Sequence, residues 1–382
     1  MTHQPRTTIV VPTYNRYPLL NRLLRYAQSA QSQLPLLLLD SSSAQPGGSV
    51  QETIRRSGAR HLRFDAQTPP TIKLAEGLRQ VETPYAVLWA DDDLMVPKRI
   101  EEGTAFLQAH PDYSVAHGVC GLFQMADVPG GRAITHLGPY PQRSYTGTSA
   151  AQRLEEYLGG YTLLFYSVHR TAHLAENLRR CCTYGGSPEH TTALDRNDLW
   201  VELLLGCLAV IGGKAKRLDG LYLLRDSHPG LNSWQGAARN LDPFDWVTSS
   251  TFSRAYAGFA ACLSEAIMQQ DGCSLDQARS AVKQAFWRWL GPMLARKWQG
   301  RYGQAPAGSR LRDAARRIPG VRRTWRAVRE WTATDETLSL GALRRSSCRY
   351  YGDFQEIEAA LLRPLQPADA PADAVEYSEA QA

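Results

Sequence analysis

Short apolar runs alternate with helix-spaced segments through the first 120 residues, and that alternation leaves few folds open. Thr8 to Val11, Leu36 to Leu39, His61 to Phe64, Tyr85 to Trp89 and Tyr113 to Val119 each have the length and composition of a buried strand. Between them, Leu19, Leu20, Leu23 and Leu24 recur at helical spacing behind Pro18, a residue suited to a first helical turn. Val50 to Arg56, Ile72 to Val81 and Ile100 to Ala109 repeat that spacing. Strands that alternate with helices predict an α/β fold, a mainly parallel sheet with helices on both faces. Ligands of such sheets bind beyond the carboxyl ends of the strands, so the residues just after each strand carry the functional information.

Those residues are polar. Pro12-Thr13-Tyr14-Asn15-Arg16 follows the first run, Asp40-Ser41-Ser42-Ser43 the second and Asp91-Asp92-Asp93 the fourth. All three segments are expected on one rim. Three consecutive aspartates concentrate negative charge that is costly to hold without a cation nearby. Carboxylate oxygens suit Mg2+ or Mn2+, and Mg2+ is commonly held by one or two carboxylates together with substrate phosphates. A metal–diphosphate site is one reading; a solvated acidic turn at a helix start is the other.

In this order and spacing, VVPTYNR, LLLLDSSS and YAVLWADDDLMVP, with Pro97 closing the acidic segment, resemble the nucleotide-sugar half of family 2 glycosyltransferases with the GT-A fold. The resemblance covers residues 7 to 110 and, more loosely, 195 to 228. It implies a nucleotide pocket that includes Pro12, Thr13, Tyr14 and Arg16, with Tyr14 against the base and Asp40 hydrogen-bonded to it. It further implies Asp91 at the ribose or sugar, Asp92 as main metal ligand and Asp93 beside it, with Mn2+ or Mg2+ as cofactor. Lys73 lies where the family often has a basic residue facing the nucleotide, although the usual Arg-Asn pair of that helix is missing here.

A second acidic fragment, Asp195 to Glu202, places Asp195, Asp198 and Glu202 on one helical face. The resemblance implies a catalytic base near this helix start, followed about eleven residues later by Gly and a strand. Glu202, eleven residues before Gly213, is the first choice and Asp198 the second; an acidic face turned to solvent is the alternative. His228, after LYLLRDS, stands where the family often completes the metal sphere, and Arg225 could reach a phosphate. His169 and His173 are four apart but lack the glutamate and third ligand of a zinc protease helix. No GxSxG elbow, Walker-type phosphate loop or GxGxxG after the first strand is present.

Residues 120 to 160, rich in Gly, Pro and Tyr, are expected to form a variable loop. Helices are predicted at 171 to 180, 194 to 211, 246 to 268 and 275 to 298, and a strand from Ala215 to Leu224. The stretch from 364 to 382, acidic and proline-bearing, reads as a disordered tail. The domain reading is therefore a GT-A unit over 1 to 235, a helical extension over 236 to 363, and the tail. From 296 to 331 eleven basic residues face two acids, Asp313 and Glu330, with Trp298, Trp325 and Trp331 interleaved. That pattern suits an anionic membrane surface, or a solvated helix, and no nucleic-acid module accompanies it.

Seven cysteines without CxxC spacing argue against a disulfide framework or a structural zinc site and for a reducing compartment. The absence of a signal-like start or a membrane-length apolar run predicts a cytoplasmic chain, peripheral on the inner face of the membrane if the basic segment binds lipid. The function expected from these features is metal-dependent, inverting transfer of a sugar from a UDP- or GDP-linked donor to a hydroxyl of a glycan or lipid-linked acceptor in cell-surface polysaccharide or glycoconjugate synthesis. A nucleotidyltransferase and a non-catalytic membrane-surface protein are the alternatives.

Overall fold

The computed structural model describes residues 5–129, 131–184, 198–227, 247–248, 250, 252–302 and 338–364, with backbone alone at 198–201 and 300–302. The expected strands form: β1 Thr7–Thr13, β2 Leu36–Asp40, β3 Arg60–Arg63, β4 Tyr85–Leu88 and β6 Tyr113–Val128, with a short β5, Leu94–Met95. The intervening helices are α1 Tyr17–Ser29, α2 Gly48–Ser57, α3 Pro70–Leu78 and α4 Pro97–Ala109. Proline occupies the first turn of α1, α3 and α4, where its missing N–H would have had no partner in any case. Further on lie β7 Gly131–Tyr140, α5 Ala150–Gly159, β8 Val168–Arg170, α6 Thr171–Tyr184, α7 Asp198–Gly212 and β9 Lys214–Asp226. Four more helices follow: α8 Phe252–Asp271, α9 Leu275–Tyr302, α10 Leu340–Leu343 and α11 Tyr351–Leu362.

Among the described residues the strands make one sheet in the order β3-β2-β1-β4-β8-β6-β9-β5, with β7 paired to β6. The β3-β2-β1-β4 half is parallel throughout, and β6 and β9 are also parallel; β8, β5 and β7 run antiparallel to their neighbours. Ile9, Val10 and Val11 of β1 are fully buried, as are Leu20, Leu23 and Leu24 of α1. A sheet covered on both faces requires that near-continuous apolar run.

Residues 120 to 160 are not a loop. The second half of β6, from Cys120 to Val128, pairs with β7 in a hairpin, and α5 begins with a capping box in which Ser149 and Gln152 satisfy each other's backbone N–H groups. The glycines and proline that suggested a loop have other uses here. Gly121 of β6 lies so close to its neighbours that a Cβ would come within 2.8 Å of Leu224 Cδ2 on β9 and 3.2 Å of the Gly138 carbonyl oxygen. Gly138 and Pro139 belong to β7, which among the described residues pairs only with β6, and such an edge strand tolerates a missing N–H.

The C-terminal helices share the core of the sheet. α8 and α9 pack on one another and on α5, and α11 lies on α1 and β7. An ion pair between Arg99 and Asp353, at 2.8 Å, fastens α11 to α4. All seven cysteines are unbridged, including Cys181 and Cys182. No helix among the described residues is long and apolar enough to cross a membrane. The domain limit near 235, most of the basic segment and the tail from 365 onward lie outside the described residues.

Candidate active site

The carboxyl ends of β1, β2 and β4 meet at one rim. The turn after β4 is tied at its base by backbone acceptors: Trp89 donates its indole N–H to the Asp93 carbonyl (2.9 Å), and Arg22 of α1 donates Nη2 to the Asp92 carbonyl (2.8 Å). Trp89 is fully buried, so the turn rests on core rather than on solvent.

Each of the three aspartates faces an arginine. Arg16 bonds Asp91 and, through Nη2, stands 2.7 Å from Asp92 Oδ2; Thr13 donates its hydroxyl to Asp91 Oδ2 at 2.7 Å. Burial pushes the Asp91 carboxyl up, against the pull of Arg16. Burial also disfavours the Arg16 cation, yet Asp91 and Asp92 outweigh it and hold the guanidinium above its usual value. Asp93 accepts from Arg225 Nε (3.2 Å) and from the Asp226 backbone N–H (3.0 Å), and burial pushes its carboxyl up despite Arg225. The cation required by this acidic turn is therefore supplied in large part by the chain itself.

Lys73 is 3% exposed and donates to the Thr13 carbonyl (2.9 Å) and the Ser41 hydroxyl (2.8 Å), which joins α3 to the ends of β1 and β2. Burial lowers its ammonium to about 8. Asp40 is fully buried and accepts from Ser42 N (2.8 Å), the Tyr17 hydroxyl (2.9 Å), His61 Nε2 (2.9 Å) and Arg63 Nη1 (2.7 Å). Burial alone would raise it, but the His61, Ser42 and Arg63 hydrogen bonds hold it well below the ordinary carboxylate range. Pro12 and Tyr14 are half-buried at the same rim. Asn15 adopts a left-handed φ of 53° and exchanges hydrogen bonds with Ser42 and Ser43, locking the first loop to the second.

Glu202 belongs to α7. Burial raises its carboxyl above the usual range, and Arg225 opposes the shift. The Arg225 guanidinium lies 4.9 Å from the Tyr166 ring centre and 5.7 Å from that of Tyr140, so it is stacked among aromatics while bonded to Asp93. Glu202 also acts electrostatically on Tyr140, Tyr161 and Tyr166. A carboxylate whose basicity burial raises, set among aromatic rings beside Arg225, is suited in its ionised form to taking a proton from a hydroxyl.

Thr13, Arg16, Lys73, Asp91 and Asp92 thus come together. The side chain of Asp198 and the whole of Asp195 and His228 lie outside the described residues. His169, 1% exposed, hydrogen-bonds the Leu164 carbonyl at 3.1 Å inside the core. The counter-ions Arg16 and Arg225, and the Asp40 partners Tyr17, His61 and Arg63, were not assigned those roles from sequence; Arg63, at the very end of β3, was the most visible of them.

Among the described residues no group of three or more His, Cys, Asp or Glu gathers at metal-binding spacing. Asp93 is 1% exposed and accepts one hydrogen bond on each oxygen, from Arg225 and the Asp226 N–H, so it is more enclosed than Asp92. Asp92, with a side chain 16% exposed, fits a metal-ligand role: a single carboxylate plus substrate phosphate oxygens is a donor set that Mg2+ accepts.

The profile of the family "Glycosyl transferase family 2" matches residues 8–170. No curated protein matches the sequence. Among solved structures, S. aureus TarS 1-349 in complex with UDP-GlcNAc is similar at 15% identity, over 78% of this chain and 76% of that one, with a TM-score of 0.49. The mannosyltransferase PcManGT from Pyrobaculum calidifontis in complex with GDP-Man and Mn2+ is similar at 14% identity, over 85% and 84% of the two chains, with a TM-score of 0.38.

Proposed function

We propose that this chain, whose residues 8–170 match the profile of glycosyl transferase family 2, is an inverting enzyme that moves a sugar from a nucleoside diphosphate donor to an acceptor hydroxyl. The observation that carries this reading is the meeting of Thr13, Arg16, Lys73 and the acidic turn at one strand-end rim, with Glu202 linked to it through Arg225. The nucleoside lies along β1 and β2, against Tyr14. Asp40 organises the base end through Tyr17, Arg63 and Ser42. Lys73 and Arg16 set positive charge beside the diphosphate, and Asp91 aligns the ribose or sugar.

Glu202 then withdraws the acceptor proton as the hydroxyl oxygen bonds to the anomeric carbon. The bond from that carbon to the donor phosphate oxygen breaks, and the nucleoside diphosphate leaves with the electron pair. Asp92 would hold a Mn2+ or Mg2+ ion, which when bound supplies further positive charge to the leaving diphosphate. Asp198 is the second candidate for the base. UDP- and GDP-linked sugars are the donor classes to test first, and a growing glycan or lipid-linked saccharide of the cell surface is the acceptor class. The catalytic unit ends near 235. The basic stretch 296 to 331 holds the enzyme at the cytoplasmic side of an anionic membrane.

The test is product analysis with purified chain and a panel of sugar nucleotides, with and without Mn2+. Release of nucleoside diphosphate by wild type and its loss in a folded Asp92→Asn variant support the reading. Pyrophosphate release from a nucleoside triphosphate and a sugar phosphate would replace it with nucleotidyl transfer, and full activity of Asp92→Asn would dismiss the site.

A further inference from the structure

Between α1 and α11, away from the rim just described, lies a cavity of about 200 Å³. Arg22, Arg25, Tyr26, Ser29, Glu356 and Arg363 are among the residues lining it. Thr13, Arg16, Lys73, Asp91 and Asp92, the rim residues, do not line it.

Arg22 makes this cavity unusual. It is 6% exposed and spends Nη2 on the Asp92 carbonyl, while its Nε and Nη1 are buried with no hydrogen-bond partner among the described residues. The Tyr26 hydroxyl, on a residue 1% exposed, is in the same position. Desolvating a guanidinium without acceptors is costly, and native proteins almost always satisfy such groups. The carboxylates of Asp226, Asp92 and Asp93 act on Arg22 through space, yet burial still lowers its basicity. What Arg22 Nε and Nη1 and the Tyr26 hydroxyl lack, among the described residues, is an acceptor, and one with several oxygens and negative charge would serve all three.

We propose that the α1–α11 cavity binds a phosphate group, with Arg22 offering its unpartnered Nε and Nη1 N–H groups and Tyr26, Arg25 and Arg363 completing the donor set. Hydrogen bonds from a guanidinium to phosphate oxygens are charge-assisted and among the stronger ones in proteins. The volume is below the roughly 300–1,000 Å³ of pockets for drug-sized ligands, which favours a small phosphate compound over a nucleotide. The site is also wired to the donor rim. The same Arg22 holds the Asp92 carbonyl, so occupancy and donor binding are linked, and the linkage is reciprocal.

Calorimetric titration of the full chain at constant ionic strength, in EDTA, with inorganic phosphate and separately with glucose 1-phosphate, tests this. One equivalent of phosphate compound should bind, and it should still bind when UDP or GDP saturates the donor rim. Arg22→Gln should weaken binding at least tenfold. The doubly substituted Arg25→Gln/Arg363→Gln chain should do the same, and these less buried positions keep the test valid if Arg22→Gln does not fold. Equal affinities for the two probes identify free phosphate as sufficient, whereas tighter binding of glucose 1-phosphate identifies a phosphomonoester. Absence of binding by both probes, displacement by the nucleotide, or unchanged affinity in the double variant would overturn the proposal.

Discussion

Arg16 Nη2 lies 2.7 Å from Asp92 Oδ2 while the same nitrogen bonds Asp91, so one cation is shared by two neighbouring carboxylates. Removing it strands Asp91, whose side chain is 5% exposed. Arg16→Gln should therefore destabilise the fold by about 3 kcal/mol, in line with the loss of one partner from a buried pair. Asp91→Asn in the same background should recover part of that loss, because the stranded charge is gone. Urea unfolding of the two single variants and the double variant measures the coupling; additive effects would mean the pair is not coupled.

For Glu202 the expected signature is kinetic. Glu202→Gln preserves shape and the uncharged state that burial favours, so the chain should fold and bind donor while turnover falls on the order of 10²-fold. Burial raises the Glu202 carboxyl, so the acid limb of the rate profile should lie above the ordinary glutamate range. Arg225→Gln removes the charge that opposes this shift and should move the limb higher still. Wild-type turnover in Glu202→Gln, with the loss appearing in Asp198→Asn, would shift the base by one helical turn.

Lys73 gives a stability prediction with a definite sign. Its ammonium falls from 10.5 to about 8 on folding. Below pH 8 both folded and unfolded chains hold the proton, and the native state bears the full cost of the buried charge. As pH rises from 8 toward 10.5 the native lysine becomes neutral while the unfolded one still binds its proton, so stability increases. Relative to Lys73→Met, wild type should gain up to about 3 kcal/mol across that interval. Denaturant midpoints of both proteins at pH 7 and pH 10 measure it; a constant difference would show that Lys73 titrates alike in both states.

Gly118 tests the β6–β9 pairing that carries Arg225 to the site. A methyl group there would meet the Gly220 carbonyl oxygen at 2.6 Å and Tyr222 Cβ at 2.7 Å, neither of which can swing aside. Gly118→Ala should cost about 1–3 kcal/mol. Because Asp226 and Arg225 lie further along β9, it should also reduce donor binding. Thermal unfolding with and without the sugar nucleotide separates the two effects, and an unshifted midpoint would show that the strands separate freely at this point.

The sequence alone determined the local order of the chain. Ile9 to Val11, Leu36 to Leu39 and Tyr85 to Leu88 read as strands of a covered sheet, and Pro18 marks a helix start; the polar residues after the strands were then expected to share a rim. It also singled out Asp91, Asp92, Lys73 and Glu202. Tertiary structure decided what those groups face. Arg16 is separated from Asp91 by 75 residues and Arg225 from Asp93 by 132, and periodicity carries no information about which cation closes such a distance. The long hairpin of β6 and β7 was hidden for a related reason. Its Gly121 and Pro139 are poor strand formers by themselves, and only the close approach of β9 and the outer edge of β7, unpaired among the described residues, make them acceptable. Charge compensation and backbone approach depend on distances between segments far apart in the chain, so they are settled only when the sheet assembles.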